Sequence, residues 1–508
     1  MKLSELIYRD EYRTRSVFED PEIKHVARSI DAIRPFTLFV CIRGGRVDTH
    51  TLIREAVSAG AIAIVVEIGS GFQRIPGIPI LEVPSSRSAY ARAFSRFVGS
   101  PEKHLQIIGI TGTNGKTSTA HMLTSILRHN GYKTGLIGTV RCETEGGYVG
   151  KPAAAATMTT PEPEVLYPLF AEMVKNQVTH AVMEVSSHAL SQGRVAPIEF
   201  SVAVFTNLSP EHLDYHRTLE EYLRAKAKLF GQCRRAAVLI GSKEAESICK
   251  ATKGELYRCT LGDRNGADAS ASILSTHEMT GSEIRIHLGD ESVETLLPIP
   301  GAFSVENALC AALAAHLLGV STEKIGQAIS SLKPIPGRME RLPDTGLGFE
   351  IIIDYAHTER ALRRLLETVR GAMKDKGRLI LLFGCGGERD RTKRAAMGRC
   401  AEELADFTIV TSDNSRREDP KQIIREILIG MPKREKRRVI VDRRRAIGYA
   451  VTVAREGDVV LLVGKGHETY EAVGLSLRPF DERKIVQKAL DRRKNAHTIP
   501  VDAEGEST

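Results

Sequence analysis

Thr111-Gly112-Thr113-Asn114-Gly115-Lys116-Thr117 joins an apolar run, Leu105 to Ile110, to a segment patterned as a helix. A strand that hands a glycine-rich turn to a helix N-terminus makes a cradle for phosphate. Small residues let backbone N–H groups turn inward, the helix dipole favours an anion, and the Lys116 ammonium adds a full positive charge. Gly112, Thr113, Asn114, Gly115, Lys116, Thr117 and Ser118 are therefore the expected contacts to a nucleotide, with the Thr117 hydroxyl placed for Mg²⁺. Ile110 stands where the general G-x-x-x-x-G-K-[ST] pattern has its first glycine. The competing reading is a glycine turn without a ligand. The stretch implies hydrolysis or transfer of phosphate from a nucleotide.

Two further sets of residues could act with it. Glu184 closes an apolar run in Met183-Glu184-Val185-Ser186-Ser187-His188, and His212 lies in Asn207-Leu208-Ser209-Pro210-Glu211-His212-Leu213-Asp214-Tyr215-His216. A carboxylate at a strand end opposite a phosphate loop suits Mg²⁺ on the nucleotide. Alone, the glutamate would read as an exposed charge and the histidine as a hydrogen-bonded loop residue. The other set follows apolar runs near the C-terminus: Asp354-Tyr355-Ala356-His357, then Gly384 to Asp390, Thr411 to Arg416 and Gly464-Lys465-Gly466-His467-Glu468. Asp, Asn and Glu can hold an amine, and Arg can take a carboxylate through two parallel bonds. Such an edge suits a zwitterionic ligand.

The elements that must position these groups fall into three blocks. With 508 residues the chain exceeds one core. In the first block, strands are expected at residues 37–42, 61–66 and 78–83, with a helix over 50–59 and a boundary at Ser100-Pro101. The middle block opens with the phosphate loop and has strand-like runs at 181–185 and 201–205. An alternating, antiparallel stretch follows at 276–297, then a helix over 305–318. The last block alternates helices with apolar runs at 351–353, 379–383, 407–410, 439–441 and 459–463, the pattern of a doubly wound parallel sheet of about five strands. In such a sheet ligands sit outside the carboxyl ends of the strands, where the polar segments above fall. The fold class is thus α/β in three domains: a small N-terminal α/β domain (1–101), a central P-loop ATPase-like parallel-sheet domain (102–335) and a C-terminal Rossmann-like domain (336–508).

Composition narrows the function. The chain has 42% hydrophobic and 26% charged residues, as a soluble protein does. No apolar run approaches the roughly 20 residues a bilayer requires, and the N-terminus lacks a signal peptide's apolar core. The eight cysteines form no C-x-x-C pair, which favours free thiols in a reducing cytoplasm. The net charge of +8 admits nucleic acid or anionic small molecules. Tryptophan is absent, and the basic run Lys433 to Arg438 has no aromatics beside it, so it reads as a solvated face. A nucleotide-driven motor on nucleic acid or a transport cargo is the remote alternative.

Taken in order, Thr111 to Thr117, Met183 to His188, Asn207 to His216, Gly337-Arg338-Met339-Glu340, Asp354 to His357, Phe383 to Asp390 and Gly464 to Glu468 resemble the Mur ligases. These ATP-dependent enzymes build the peptide of bacterial cell-wall precursors. The resemblance covers nearly the whole chain after Leu105. It is nearest to members that add the third residue, a diamino acid, to UDP-N-acetylmuramoyl-L-alanyl-D-glutamate. It implies a cytoplasmic monomer with small-molecule substrates, whose N-terminal domain holds the UDP-linked substrate, central domain ATP and C-terminal domain the amino acid. Hinge closure would assemble the active site. Lys116, Glu184, His212 and Lys226 would be catalytic, with Mg²⁺ at Thr117 and Glu184 and a second metal near His212. Lys226, in Ala225-Lys226-Ala227-Lys228-Leu229-Phe230, would carry a carbamate derived from CO₂, in preference to Lys228. Asn307, Arg338 and Asp354 would complete the ATP site. Thr159, Thr160, Ser186, Gln192 and Arg194 would hold the muramoyl dipeptide. Arg389, Asp413, Asn414, Ser415, Arg416, Gly464 and Glu468 would hold the incoming amino acid.

Two departures bear on specificity. Members that add meso-diaminopimelate usually read Asp-Asn-Pro-Arg, and here Ser415 replaces the proline while Arg416 remains to pair the distal carboxylate. Diaminopimelate is favoured, with L-ornithine or L-lysine as alternatives. The family's Asp-Ser-Arg uridine segment stands here as Ser29-Ile30-Asp31, and its Asp-Gly-His as Asp48-Thr49-His50. Ser29 is carried over as a uridine contact, with backbone groups or the Gly45-Arg46-Val47 turn as substitutes.

Overall fold

A computed structural model describes residues 1–14, 18–44, 47–72, 75–144, 147–148, 158–374 and 377–497. Two compact units emerge. The first comprises Met1–Gly112, Leu127–Thr206 and Leu223–Tyr257, the second Thr113–Ile126, Asn207–Tyr222 and Arg258–Thr508.

The first unit contains a four-stranded parallel sheet, β1 (His25–Ala27), β2 (Thr37–Val40), β3 (Ala61–Glu67) and β4 (Ile80–Val83), in that order. Strands β2, β3 and β4 match expectation and β1 was not anticipated, while the segment 50–59 opens as a 3₁₀ turn (Thr49–Leu52) before the α-helix Ile53–Ser58. Asp48 causes the turn by accepting from the His50 N–H. A second sheet contributes β5 (Gln106–Thr111), β6 (Thr134–Ile137), β7 (Cys142–Thr144), β8 (Gly147–Tyr148), β9 (His180–Glu184), β10 (Phe200–Phe205) and β11 (Cys233–Leu239). Their spatial order is β11-β10-β5-β9-β6-β7-β8. The central strands are apolar on both faces, as parallel strands covered by helices must be. Gly109 in β5 permits this packing, since a Cβ there would come 2.7 Å from the Phe200 ring. β5 and β9 pair with Ile110 opposite Glu184, so the strand that delivers the phosphate loop runs beside the one that ends in the carboxylate.

The chain enters the second unit along β12 (Glu255–Leu261) and continues as β13 (Ala269–His277), β14 (Gly281–Leu288) and β15 (Glu291–Leu297). The last three form the antiparallel meander expected there. The alanine-rich helix Ala302–Leu317 follows, buried on almost every side. The C-terminal sheet has β16 (Glu340–Arg341), β17 (Glu350–Asp354), β18 (Leu379–Phe383), β19 (Phe407–Val410), β20 (Arg437–Val439) and β21 (Val459–Val463), ordered β16-β17-β21-β18-β19-β20. Five strands are parallel, as expected. β20 starts two residues earlier than its apolar run, and the antiparallel edge strand β16 carried no sequence signal.

Helices Arg443–Val453 and Glu482–His497 pack one face of this sheet through Ala446, Ile447, Val451, Ile485 and Val486. The right-handed crossover rule places helices Glu359–Met373, Thr392–Leu404 and Pro420–Leu428 on the other face. The first of these shows why it is a helix. Thr358 caps it by accepting from Ala361 N–H, and Leu362, Leu365, Leu366, Val369 and Met373 recur on one buried stripe.

Register makes this sheet a platform. Val463 pairs with both Asp354 and Phe383, Phe383 pairs with Val410, and Val410 with Val439. All five carboxyl ends therefore stop level. A hairpin that sequence reasoning missed, β22 (Tyr470–Val473) and β23 (Ser476–Pro479), stands at this edge. All eight cysteines are free. Among the described residues, no helix is long and apolar enough to cross a membrane.

Candidate active site

In the second unit the phosphate loop is pinned by the Asn207 segment. Asn207 accepts from Thr113 N–H through its carbonyl (2.9 Å) and from Asn114 N–H through Oδ1 (3.0 Å), and its Nδ2 donates to the Asn114 carbonyl. Thr113 Oγ1 donates to the Ser209 carbonyl and accepts the Ser209 N–H. Lys116 Nζ lies 2.8 Å from the Thr113 carbonyl. Gly115 has φ 86°, and a Cβ there would lie 2.2 Å from Asn307 Oδ1. Thr119 Oγ1 also donates to that oxygen, so Asn307 backs the loop from beneath. Thr117 is buried, and Arg338 Nη2 donates to its Oγ1 at 3.1 Å. Asp354 is occupied by backbone, accepting from Met339 N–H (2.8 Å) and Ala356 N–H (2.7 Å). Burial raises its pKa above the ordinary carboxylate value, only partly offset by Arg338.

His212 opens a short helix with its backbone in the left-handed region, φ 56°. Its neighbour Glu211, absent from the expected set, is buried and hydrogen-bonded to His357 Nε2 at 2.7 Å, with His212 Nε2 at 3.8 Å. Burial opposes the charged form, but the His357 and His212 rings prevail and hold this carboxyl far below its usual range. A carboxylate followed by a histidine, with a second histidine in Asp354 to His357, was the available signal.

The first unit holds the other half of the expected metal set. Glu184 is buried and receives the Thr139 N–H (2.7 Å) and hydroxyl (3.0 Å). Gly138 leaves room for that carboxylate, since a Cβ there would be 2.4 Å from Glu184 Oε1. Lys226 is sealed from solvent, 1% exposed, and its Nζ donates to the Gly112 carbonyl at 2.8 Å, whereas Lys228 is exposed. The sequence preference for Lys226 thus falls on the lysine that reaches the phosphate loop. No group of three or more His, Cys, Asp or Glu side chains suited to a metal occurs among the described residues.

The expected dipeptide residues also gather in this unit. Thr160 Oγ1 donates to the Glu184 carbonyl and accepts the Ser186 N–H, and Thr139 Oγ1 donates to Thr159 Oγ1. Arg194 donates to the Thr160 carbonyl and to Gln192 Oε1, and pairs with Glu162 at 2.7 Å. Arg28 lies 3.5 Å from the same Glu162. Ser29 is exposed, while Asp48 and His50 bond each other and His50 Nε2 accepts the Glu67 N–H, a structural use of that segment. Gly45 and Arg46 lie outside the described residues.

At the level strand ends, Asp413 and Asn414 follow β19, Gly464 to Glu468 follow β21, and the loop after β18 brings Arg389. Glycines permit the approach: a Cβ on Gly464 would lie 2.5 Å from Asp413 Oδ2, and one on Gly387 would lie 2.0 Å from the Ser415 carbonyl. A Cβ on Gly386 would lie 3.1 Å from Arg416 Nη1 and 3.7 Å from Arg389 Cγ, so both arginines border the same glycine. Burial and the nearby Arg389 lower the Arg416 pKa. Burial would raise Asp413, but Lys465 and Arg443 outweigh it and keep this carboxyl below its ordinary value. Glu468 goes the other way, raised by burial and by Asp413. The edge offers buried carboxylates for an ammonium and two guanidinium groups for carboxylate.

Residues 110–315 match the Mur ligase middle domain, and 337–466 the Mur ligase, glutamate ligase domain. A UDP-N-acetylmuramoyl-L-alanyl-D-glutamate–2,6-diaminopimelate ligase of Caldanaerobacter subterraneus subsp. tengcongensis is 40% identical over 459 residues, 90% of this chain and 92% of that protein. A ligase of the same name from Syntrophomonas wolfei subsp. wolfei is 39% identical, covering 96% of this chain and 99% of its own. A solved structure of a ligase so named superposes with a TM-score of 0.67 at 28% identity, covering 97% of this chain and 99% of that one. Matched along almost its entire length, the chain belongs to the Mur ligase family.

Proposed function

We propose that this protein is the ATP-dependent ligase that joins meso-diaminopimelate to the γ-carboxylate of the D-glutamyl residue in UDP-N-acetylmuramoyl-L-alanyl-D-glutamate, a cytoplasmic step of peptidoglycan precursor synthesis. The observation that carries the reading is the strand-end edge, where buried Asp413 and half-buried Glu468 stand with Arg416 and Arg389. Diaminopimelate carries one more carboxylate than lysine or ornithine, and a second guanidinium answers it. The relatives' names support the same amino acid.

A carboxylate is a poor electrophile with a poor leaving oxygen, so it must first be activated. The substrate carboxylate oxygen attacks the γ-phosphorus of ATP, the bond to the β-phosphate oxygen breaks, and ADP and an acyl phosphate result. The incoming amine then attacks the acyl carbon, losing a proton, and the tetrahedral intermediate expels phosphate. Lys116 neutralises charge on the moving phosphoryl group, and Arg338, held on Thr117, adds a second cation beside the loop. Asn307 and Asp354 complete the nucleotide site. Thr159, Thr160, Ser186, Gln192, Arg194 and Ser29 hold the UDP-linked dipeptide.

The residues fit Mg²⁺, since the buried Glu184 carboxylate is oriented by Thr139 against a glycine that leaves it space. The family resemblance gives metal-holding roles to Thr117 and His212 in the second unit and to Glu184 and Lys226 in the first. Bound there, Mg²⁺ supplies charge neutralisation on the phosphates. An ammonium at Lys226 would repel a divalent cation, and a carbamate formed with CO₂ reverses its charge.

Phosphate release, assayed with the UDP-linked dipeptide and meso-diaminopimelate, L-lysine or L-ornithine in turn, tests the reading. The highest kcat/KM is expected for diaminopimelate. Arg416→Ala is expected to raise its KM about 100-fold and that of lysine far less, the scale of a lost charged pair. Equal effects would dismiss the carboxylate role of Arg416, and ADP without a lengthened peptide would defeat the ligase itself.

A further inference from the structure

Lys465 follows β21 and is fully buried, an unusual place for a lysine, because an ammonium leaves water at high cost unless its donors are matched. Its Nζ donates to Asn414 Oδ1 at 2.9 Å and to the Tyr470 carbonyl at 3.0 Å, and lies 3.6 Å from Glu468 Oε2. The first bond, together with one from the Ala472 N–H, decides which way the Asn414 amide faces. Oδ1 accepts from Lys465 and from the Ala472 N–H (2.8 Å), so the NH₂ end must turn the other way, and Nδ2 donates to Glu468 Oε2 at 2.7 Å.

The second bond fastens β22, and β22 holds the loop that carries Arg416. The Arg416 N–H donates to the Ala472 carbonyl (3.0 Å), and the Gly474 N–H donates to the Arg416 carbonyl (2.7 Å). Arg416 sits at φ 51°, a left-handed conformation that an L-residue adopts only when held there. With serine at 415 no proline ring stiffens the approach, and these two bonds supply the restraint. Arg443, another buried cation, is already committed: its Nε donates to Glu482 and its Nη groups to the Val463 and Ser412 carbonyls.

We propose that Lys465 is a positioning residue of the amino-acid site, turning the Asn414 amide toward Glu468 and fastening the hairpin that aims Arg416. Recognition of the incoming diamino acid then depends on a side chain sealed beneath the site. The inference rests on the ligase reading above, and the experiment separates the two.

KM values for meso-diaminopimelate, ATP and the UDP-linked dipeptide are measured on the full-length wild type, Lys465→Met and Ala472→Pro. Lys465→Met is expected to raise the diaminopimelate KM at least tenfold and to leave the other two within about twofold. Ala472→Pro removes one N–H from Asn414 Oδ1 and retains the buried ammonium. Its N–H and carbonyl both face the loop, so the β22–β23 ladder survives, and a rise of about three- to fivefold in the same KM is expected. A folded Lys465→Met with an unchanged diaminopimelate KM, or with all three raised alike, overturns the positioning role. Should Lys465→Met not fold, an unchanged KM in Ala472→Pro overturns it instead. A wild type whose phosphate release ignores the diamino acid defeats the ligase reading, and the proposal with it.

Discussion

The phosphate loop and the edge proposed for the amino acid would meet the same problem, holding a charged ligand at strand ends, by opposite means. The loop is set by backbone: Gly115 at φ 86°, amides pinned by Asn207, and Asn307 filling the space a side chain would take. The edge is set by buried charge: Asp413, Glu468, Lys465 and Arg443 balance one another beneath a loop whose main chain a hairpin restrains. Backbone sites tolerate little change of shape, and charge-balanced sites tolerate little change of protonation. That difference yields separate ways to break each.

The largest expected effect tests whether the loop is as self-contained as its glycines suggest. Lys226 comes from 114 residues further along the chain to reach the Gly112 carbonyl. Lys226→Ala should lower kcat by about 1000-fold, the scale of losing a metal-supporting anion, as measured by phosphate release with all substrates saturating. Normal turnover would remove Lys226 from the metal chemistry and leave the loop autonomous.

The same contrast explains what could be read from the sequence. Phosphate-loop chemistry was legible because it is local: a strand, two glycines, a lysine and a helix are contiguous from Gln106 to His129. The five parallel strands were legible as apolar runs, and their carboxyl ends pointed to a binding edge. What sat on that edge was only partly legible. Asp413, Asn414 and Glu468 announce themselves as polar residues after apolar runs, but Lys465 looks like any surface lysine until the fold buries it. Glu211 and His357 lie 146 positions apart, and neither helical nor strand periodicity links them. The hairpin Tyr470–Pro479 was missed because its strands are half-buried or exposed and lack the apolar alternation that marks a core strand.

A middle-sized effect sharpens the backbone side of the comparison. Gly115→Ala places a methyl 2.2 Å from Asn307 Oδ1 at a backbone angle that L-residues avoid. A cost of about 1–3 kcal/mol is expected, from strain and displacement together. The KM for ATP should rise about tenfold while that for diaminopimelate stays level. A parallel rise in both would mean that the two sites share one mechanical framework, contrary to the distinction drawn above.

The smallest effect addresses the charged side. Beneath the edge, the fully buried Arg394 donates to Glu418 Oε2 (2.9 Å), Glu426 Oε2 (2.8 Å) and the Gly386 carbonyl, while Glu418 Oε1 accepts the Glu388 N–H. This network shapes the turn that carries Arg389. Hydrogen bonding from Arg394 outweighs burial and lowers the Glu418 pKa to about 2, against an ordinary value of 4.5. A carboxyl whose folded pKa lies below its unfolded one contributes stability fully above the unfolded value. That contribution is lost as pH falls from 4.5 toward 2. Wild type should therefore exceed Glu418→Gln in Tm by a few degrees near pH 6, and the gap should close on acidification through that window. Calorimetry at half-unit intervals of pH resolves it. A gap that stays constant down to pH 2 would assign the stabilisation to shape instead of charge, and the amino-acid edge would then be built on the same principle as the phosphate loop.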